Sequence, residues 1–349
     1  MTERRNGKRW KAAAAVVLFA ALFLLAFAQL SEILREKNGA GGVDRIRSFY
    51  TIPRNTLDVL VLGSSHAYYG FQPGVLWDEY GISSHVMGSN KQSVEVSYYM
   101  LKEALQYQKP KVVLFETYLV GSGVPFVDEG SMRQAVDSLR MGKNKLELID
   151  ALLPNLSWKD KVSYYVPFLL YHGRWSRLSD YDFEKQYFLH GANMDGGLKE
   201  MVNQGVDFEP ADMPERSRTY LDKMISLCRE NGIAFAAFAT PFNTLGDTYN
   251  YRQAVNQGLQ QYFGEQEIPF FFFQKDYVDL FDFSADFRDE THVNYYGQKK
   301  ITQVIGAYLH GEMGLSDNRS DPSYGAWVRD GELYQAKLAA TELEKAENG

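Results

Sequence analysis

Two short segments of the chain carry side chains that could perform acyl chemistry together. The first, from Asp58 to Gly70, reads D-V-L-V-L-G-S-S-H-A-Y-Y-G and presents the hydroxyl of Ser65 just after an apolar run. The second, from Asp286 to Gly297, reads D-F-R-D-E-T-H-V-N-Y-Y-G and places Asp289 three residues before His292. A serine becomes a nucleophile when a base takes its proton, and a carboxylate can orient the imidazole of that base. The residue types therefore predict a Ser-His-Asp site if the fold joins the two segments.

The position of the first segment can be predicted from its local pattern. Asp58 to Leu62 is a mostly apolar run, too short for a helix, and Gly63 ends it, which is typical of a buried parallel strand. The small polar residues after Gly63 then lie on the turn that leaves the carboxyl end of this strand, the edge where α/β sheets bind ligands. A serine is also an ordinary turn and N-cap residue, so the turn alone does not establish a nucleophile.

The rest of the chain alternates short apolar runs with helical patterns. Predicted strands are Asp58–Leu62, Ser84–Met87, Val112–Tyr118, Ile233–Ala239 and Ile268–Phe273. Predicted helices cover Val75–Tyr80, a segment that opens at Gly88–Ser93 and runs to about Gln108, Tyr220–Glu230, about Tyr251 to Phe263, and about Lys299 to Leu309. This alternation predicts an α/β fold of three layers, with a five-stranded, mainly parallel sheet covered by helices on both faces.

The amino end has the pattern of a membrane anchor. Five basic residues and one acid occupy residues 1–11, and Ala12 to Leu30 then contains 19 residues without a charge. As a helix this run is about 28 Å long, enough to cross a hydrocarbon core. The basic residues on its amino side predict a cytoplasmic N-terminus and an extracytoplasmic domain. A cleaved signal peptide, ending at Ala26-Phe27-Ala28, is the alternative, and it exports the domain as well.

Composition limits the classes of function. The chain has 349 residues, is 45% hydrophobic and 14% aromatic, and can build one large core after the anchor. Its net charge is -7 despite the basic amino end, which argues against a nucleic-acid partner. No metal-ligand cluster or glycine-rich phosphate loop appears in the sequence, so we expect no metal or cofactor. The lone Cys228 excludes an internal disulfide and has the pattern of a core residue.

The sequence divides into four regions. They are a cytoplasmic basic segment and anchor at 1–31, a polar stalk at 32–55, a catalytic domain at 56–313 and a polar tail at 314–349, part of which Tyr324 and Trp327 are expected to pin back. Residues 121–215 interrupt the strand and helix rhythm and are interpreted as a mainly helical insertion over the active edge.

The insertion contains the aromatic stretch Y-Y-V-P-F-L-L-Y-H-G-R-W. His172, Arg174 and Trp175 at its end could bind a polar, ring-shaped ligand through stacking and hydrogen bonds. The alternative is that its aromatic residues only dock the insertion onto the sheet.

Three features together resemble the SGNH, or GDSL-like, hydrolase superfamily: the Gly-x-Ser turn after the first strand, the small-residue turn at Gly88, and the Asp-x-x-His loop before the last core helix. The resemblance covers roughly residues 56–120 and 216–310 and implies an SGNH or flavodoxin-like sheet. The G-S-S-H turn on an exported, anchored domain is similar to bacterial proteins of cell-envelope acylation. These include the alginate O-acetylation proteins and the teichoic acid D-alanyl transfer protein, which work beside membrane-bound O-acyltransferases.

The resemblance implies a role for each matching residue. Ser65 would be the nucleophile, His292 its general base and Asp289 the residue that orients the base, while the backbone N–H groups of Ser65 and Gly88 would form the oxyanion hole. Members of the superfamily usually add an asparagine after the third strand, but this chain reads E-T-Y-L-V-G there. The third donor is therefore absent or supplied elsewhere, and Asn90 is the candidate.

Neighbouring residues compete for these roles. Ser64 could be the nucleophile, but the family register places the acting serine two residues after the glycine, which favours Ser65. His66 follows Ser65 directly on a sharp turn, so we interpret it as a pocket wall or hydrogen-bond donor to substrate. His85, His190 and His310 have no acidic neighbour at a useful spacing and are interpreted as structural.

The expected reaction is a two-step acyl transfer through an acyl-Ser65 intermediate. Water as the acceptor makes the protein an esterase, and a sugar or polyol hydroxyl makes it an O-acyltransferase. The location favours an acyl, and specifically acetyl, ester of a cell-envelope polysaccharide or teichoic-acid-like polymer, with a membrane-bound O-acyltransferase as partner. An inert glycan-binding or scaffolding subunit of such a complex is the alternative from another class.

Overall fold

A five-stranded parallel sheet forms the centre of the protein in its computed structural model. The strands are β1 (Val59–Gly63), β2 (Ser84–Gly88), β3 (Val112–Glu116), β4 (Ala234–Ala239) and β5 (Phe270–Phe272). They lie in the order β2-β1-β3-β4-β5, and all four neighbouring pairs are parallel. The predicted α/β fold class is confirmed, and the strand order reverses between β1 and β3, the point where such sheets bind ligands.

The structure describes residues 2–37, 42–183, 187–243 and 247–348. The helices in the first half of the chain are α1 (Thr2–Leu34), α2 (Val43–Arg47), α3 (Ser65–Gly70), α4 (Pro73–Tyr80), α5 (Val94–Ala104), α6 (Glu129–Ser138), α7 (Lys143–Leu152), α8 (Trp158–Tyr165) and α9 (Phe168–Tyr171). Those in the second half are α10 (Glu215–Glu230), α11 (Asp247–Gly264), α12 (Phe273–Asp276), α13 (Tyr295–Gly311) and α14 (Gly325–Asn348).

The strand sequences are mostly apolar because helices cover both faces of the sheet. Val59 and Val61 of β1 share a buried cluster with residues of α4 and α13, which pack together on one face. Helices α5 and α10 pack together on the other face and contact β1 and β4. All residues of β1, β2 and β3 are buried, which leaves no alternation of polar and apolar positions.

The chain forms two compact units. The larger contains residues 38–155 and 187–349, with the sheet and its helices. The smaller contains residues 1–37 and 156–186. Within the smaller unit, the Phe27 and Phe168 rings lie 5.0 Å apart, and the buried Arg174 donates to the Leu34 carbonyl at 3.0 Å. The stretch Trp10–Leu34 of α1 is long and apolar enough to cross a membrane.

The segment interpreted as an insertion does not fold as one body. Helices α6 to α9 lie within it, but residues 192–214 contain no helix or strand. Three glycines and two prolines in those 23 residues explain why regular structure does not form. Residues 156–186 group with α1, and the remainder groups with the sheet.

Two regions predicted as polar connections contain buried anchors. In the predicted stalk, Val43, Ile46 and Phe49 recur every three residues and are buried, so residues 43–51 are helical and pack in the larger unit. In the tail, Tyr324 and Trp327 are buried as predicted, and the Trp327 indole N–H donates to the Thr56 hydroxyl at 3.0 Å.

Candidate active site

The serine turn joins β1 to α3 through a glycine that no other residue could replace without strain. Gly63 has φ +153°, and a Cβ there would lie 2.6 Å from the Cβ of Glu116. Ser64 follows as the N-cap of α3, and its side chain accepts a hydrogen bond from the backbone N–H of His66 at 3.3 Å. Ser65 is the first residue of the helix, so the turn fixes it at the carboxyl end of β1.

The two adjacent serines have different partners. The Ser64 hydroxyl is buried and donates to Glu116 Oε2 at 2.8 Å. The Ser65 Oγ lies 2.8 Å from His292 Nε2, although the two residues are 227 positions apart in the chain. A proton can pass directly from a hydroxyl to an imidazole nitrogen at that distance, so Ser65, and not Ser64, faces a base.

The other nitrogen of the His292 ring faces a carboxylate. His292 Nδ1 lies 2.9 Å from Asp289 Oδ1 and 3.1 Å from Oδ2. With Asp289 ionised, Nδ1 carries the proton and donates it, which leaves Nε2 as the acceptor that faces Ser65. Burial alone would raise the pKa of Asp289, but its hydrogen bonds with His292 and Thr291 outweigh this and hold the pKa well below the usual range. The carboxylate is therefore charged at neutral pH.

The loop that carries His292 is held by its own turn and by the irregular part of the insertion. Asp289 Oδ1 also accepts the backbone N–H groups of Thr291 and His292, each at 2.9 Å. Residues 192–205 run beside the loop, where the Lys199 N–H donates to the Phe287 carbonyl at 2.8 Å. Asp195 forms an ion pair with Arg288 at 2.9 Å, so the insertion fixes the residue next to Asp289.

Glu116, whose buried carboxyl group contacts the serine turn, was not among the site residues predicted from the sequence. Glu116 ends β3 and accepts hydrogen bonds from the backbone N–H of Ser64, at 3.1 Å, and from the Tyr118 N–H. Burial raises its pKa from 4.5 to about 7, although the hydrogen bonds from Tyr118 and Ser64 oppose the rise. In the sequence, the only indication of this residue is that a single acid ends the apolar run V-V-L-F-E. The superfamily that the sequence resembles has its asparagine turn at this place.

His66 lies beside His292 in an aromatic setting. Its ring stacks on Tyr118 with centroids 3.6 Å apart and lies 4.8 Å from the His292 ring. His66 Nδ1 is 2.7 Å from the Thr240 hydroxyl, and Nε2 is buried with no hydrogen-bond partner among the described residues. Burial lowers the pKa of His66 well below 6.5, so the ring is neutral and can donate or accept one hydrogen bond.

Two of the residues predicted for the oxyanion hole, Ser65 and Gly88, lie around the same turn. Gly88 ends β2 opposite Gly63, and a Cβ on Gly88 would be 3.2 Å from the Ser64 carbonyl oxygen. The Gly88 carbonyl accepts a hydrogen bond from the buried guanidinium of Arg45 at 2.6 Å, and this bond helps to fix the position of the glycine. Asn90 is exposed, and its backbone N–H donates to Gln134 at 2.7 Å, so a third oxyanion donor from Asn90 would have to be its side chain.

The predicted ligand-binding residues of the aromatic stretch belong to the smaller unit. Trp175 and His172 are exposed, and His172 Nδ1 lies 3.0 Å from the Leu169 carbonyl. Arg174 differs from the prediction because it is buried and its guanidinium contacts Leu34, Arg35 and Asp182. Its donors therefore hold the unit together.

Within the described residues, no group of three or more His, Cys, Asp or Glu side chains is arranged to hold a metal ion. Cys228 is buried, and burial raises the pKa of its thiol to about 12, which leaves it protonated and unreactive at neutral pH.

Among solved structures, the chain is similar to a candidate lipolytic protein of the G-D-S-L family from Desulfitobacterium hafniense DCB-2. The match has 11% identity and a TM-score of 0.38, and covers 72% of this chain and 98% of that one. It is also similar to a candidate acylhydrolase from Bacteroides fragilis NCTC 9343, with 12% identity, a TM-score of 0.40, and coverage of 80% and 100%. No protein-family model and no curated protein matches the chain. At this identity the similarities concern the fold alone.

Proposed function

We propose that the protein is an extracytoplasmic serine esterase or O-acyltransferase, anchored in the membrane through residues 12–30. It would act on acyl esters, in the first place acetyl esters, of a cell-envelope polysaccharide or a teichoic-acid-like polymer. The observation that supports this most strongly is the hydrogen-bonded line from Ser65 Oγ through His292 to Asp289, at 2.8 Å and 2.9 Å. Such a line gives a serine both a base and an oriented imidazole.

The first step would form a covalent intermediate. His292 Nε2 takes the proton of Ser65 as Oγ attacks the ester carbonyl carbon, and the carbonyl oxygen becomes an oxyanion. The N–H groups of Ser65 and Gly88, with Asn90 as the third candidate, would stabilise that charge. The bond to the leaving alcohol then breaks, His292 returns the proton to the alcohol oxygen, and the acyl group remains on Ser65.

The second step would pass the acyl group to an acceptor. The acceptor hydroxyl loses its proton to His292 as its oxygen attacks the acyl carbon, and Ser65 leaves with that proton. His66 stands next to His292 and would form part of the pocket wall, because its Nε2 is buried and has no hydrogen-bond partner among the described residues. A sugar hydroxyl as acceptor gives transfer, and water gives hydrolysis.

A labelling experiment tests the nucleophile. The full-length protein, in detergent, is treated with an aryl fluorophosphonate, which forms a stable bond to an activated serine oxygen as fluoride leaves. Peptide mass spectrometry should find the adduct on Ser65 and not on Ser64, and Ser65→Ala should abolish both the adduct and turnover of 4-nitrophenyl acetate. An adduct on Ser64, or turnover unchanged in Ser65→Ala, would contradict the assignment.

The acceptor is tested by offering 4-nitrophenyl acetate with and without an acceptor glycan. Transfer predicts acetylated glycan and less free acetate per turnover, whereas simple hydrolysis predicts acetate release that ignores the glycan. An inert glycan-binding or scaffolding subunit predicts no acyl-enzyme at all and glycan affinity that survives the loss of both Ser65 and His292.

A further inference from the structure

Residues 156–183, which we call the interfacial segment, expose large apolar side chains. Trp158 and Trp175 are 70% and 73% exposed, whereas Trp77 and Trp327 in the larger unit are buried. Leu169 and Leu170, both in α9, are 48% and 49% exposed. Leu156, Tyr181 and Phe183 are exposed as well. Apolar groups gathered in one short segment mark a surface that meets something other than water.

An aromatic contact shows which part of α1 the interfacial segment packs against. Phe168, the first residue of α9, packs on Phe27 of α1 with ring centroids 5.0 Å apart. Phe27 comes three residues before Leu30, the last residue of the uncharged run, which is about 4–5 Å along a helix. Helix α9 therefore meets α1 beside its apolar stretch and not beyond it.

Near the carboxyl end of α1, the interfacial segment makes polar contacts. Arg174 is buried and donates to the Leu34 carbonyl at 3.0 Å, to the Arg35 carbonyl, and to Asp182 Oδ1 at 2.9 Å. From residue 168 to residue 174 the segment thus follows α1 from its apolar run to the end of the helix, past Glu32, the first charged residue after that run. This gradient matches the passage from acyl chains to headgroups at a membrane surface.

We propose that the interfacial segment lies in the bilayer beside the anchor helix, with Leu169 and Leu170 among the acyl chains and Trp158 and Trp175 at the headgroups. The inference rests on the proposed membrane anchor and gives the insertion a second point of attachment. Trp10 marks the opposite end of the span Trp10–Leu34, so tryptophan flanks both ends, as is usual for membrane segments.

Residue type favours lipid over carbohydrate as the occupant. The exposed charges of the segment are balanced, Lys159 and Arg177 against Asp160 and Asp180, so the choice depends on the apolar side chains. A sugar site would account for an exposed tryptophan, but not for adjacent leucines at the level of Phe27. Arg174, the hydrogen-bonding cation that a sugar site would use, is already bound inside the unit.

The experiment measures depth in the full-length protein, reconstituted in vesicles of phosphatidylcholine and phosphatidylglycerol. Nitroxides are attached at Leu170→Cys and Trp175→Cys, while the native Cys228 is buried and stays unlabelled. The matched control is Leu146→Cys in α7, whose side chain is 41% exposed, and the depth reference is Leu22→Cys in α1. Collision rates with oxygen, which concentrates in acyl chains, are compared with those of a water-soluble nickel chelate.

The expected result is an oxygen-to-nickel ratio several-fold higher at position 170 than at position 146, with an intermediate ratio at position 175. Position 22 deep in the bilayer, with positions 170 and 175 as water-exposed as position 146, would overturn this inference and leave the anchor intact. A water-exposed position 22 would remove the anchor proposal and this inference with it. A nitroxide at position 170, in the variant that keeps Trp175, that is water-exposed and becomes immobile when an oligosaccharide is added would identify a sugar site instead.

Discussion

At the residue scale, the proposed chemistry depends on which of two neighbouring hydroxyls meets the base. Ser64 is held by Glu116 and by the cap of α3, so its oxygen has a structural task. Ser65 has its oxygen 2.8 Å from His292 Nε2. One peptide unit of difference along the turn therefore separates a serine with a structural task from the serine that we propose as the nucleophile.

The role of Asp289 can be tested by removing its charge and keeping its size. Asp289→Asn should lower the rate of acyl-enzyme formation by roughly 10⁴-fold, because the amide permits the wrong imidazole tautomer. The fluorophosphonate labelling rate measures the effect. Glu290→Gln is the matched control, since it removes the exposed charge next to Asp289 and should label at the wild-type rate. Equal labelling rates for the two variants would contradict the role given to Asp289.

Glu116 should make stability depend on pH. Its folded pKa of about 7 lies above the usual 4.5, so the folded state holds a proton that the unfolded state has lost between these values. The contribution to the free energy of unfolding is therefore full below about pH 4.5 and falls as pH rises through about 7, by on the order of 3 kcal/mol. Thermal unfolding from pH 5 to 8 should show a smaller decline in Tm for Glu116→Gln than for the wild type.

A second variant checks the same group by a different route. Ser64→Ala removes the hydroxyl that donates to Glu116 at 2.8 Å, and this hydrogen bond opposes the rise in the Glu116 pKa. The pH window of declining Tm should therefore move upward in Ser64→Ala. Identical pH dependence in the wild type, Glu116→Gln and Ser64→Ala would show that this carboxyl does not titrate in the window.

At the scale of elements, the junction of β1 and α3 decides whether the serine turn can form. Gly63→Ala should cost on the order of 1–3 kcal/mol through backbone strain alone, because φ is +153°, and its Cβ would also press on Glu116. Chemical denaturation and labelling of Ser65 should both report the loss. Gly264→Ala, at the end of α11 with nothing within 4 Å of the added Cβ, should leave both unchanged. Equal effects of the two substitutions would contradict the argument from φ and space.

Helix α2 should influence Gly88, the proposed oxyanion-hole residue, through Arg45. Arg45 donates to the carbonyls of Gly88 and Gly191 and lies over the Tyr68 ring at 3.9 Å. Burial lowers its pKa to about 10, which still leaves it charged at neutral pH. Arg45→Lys keeps the charge but loses the planar fork, so acylation by 4-nitrophenyl acetate should slow while KM changes little. An unchanged acylation rate with normal stability would show that Gly88 does not need this support.

The elements that sequence patterns predict are the ones whose signals are local. The five strands were apparent as apolar runs, and Gly63 marked the end of β1 whatever the rest of the chain did. The Ser65 and His292 segments could be joined only through a family resemblance, because their contact depends on the whole sheet order. Glu116 and Arg45 were missed since a buried charge looks like a surface residue until its partners are known.

At the scale of the whole molecule, the chain combines a sheet domain with a unit that the sequence did not indicate. The apolar run of α1 was evident from its length and lack of charge. The sequence indicates its partner, residues 156–186, only as part of an insertion, because no periodicity links residues more than 120 positions apart. The association depends on Phe27 with Phe168, and on Arg174 with the Leu34 carbonyl.

Removal of the apolar run of α1, the proposed anchor, should therefore affect a segment far away in the sequence. A chain that begins at residue 32 lacks Phe27, so Phe168 loses its aromatic partner and residues 156–186 lose most of the helix that supports them. Limited proteolysis should cut this chain within residues 156–186 much faster than the full-length protein in the same detergent. Ser65 lies in the larger unit, so fluorophosphonate labelling should continue and provides the control for folding. Equal protease resistance of both chains, with labelling intact, would mean that residues 156–186 are held without α1 and that the packing of Phe27 on Phe168 contributes little to their stability.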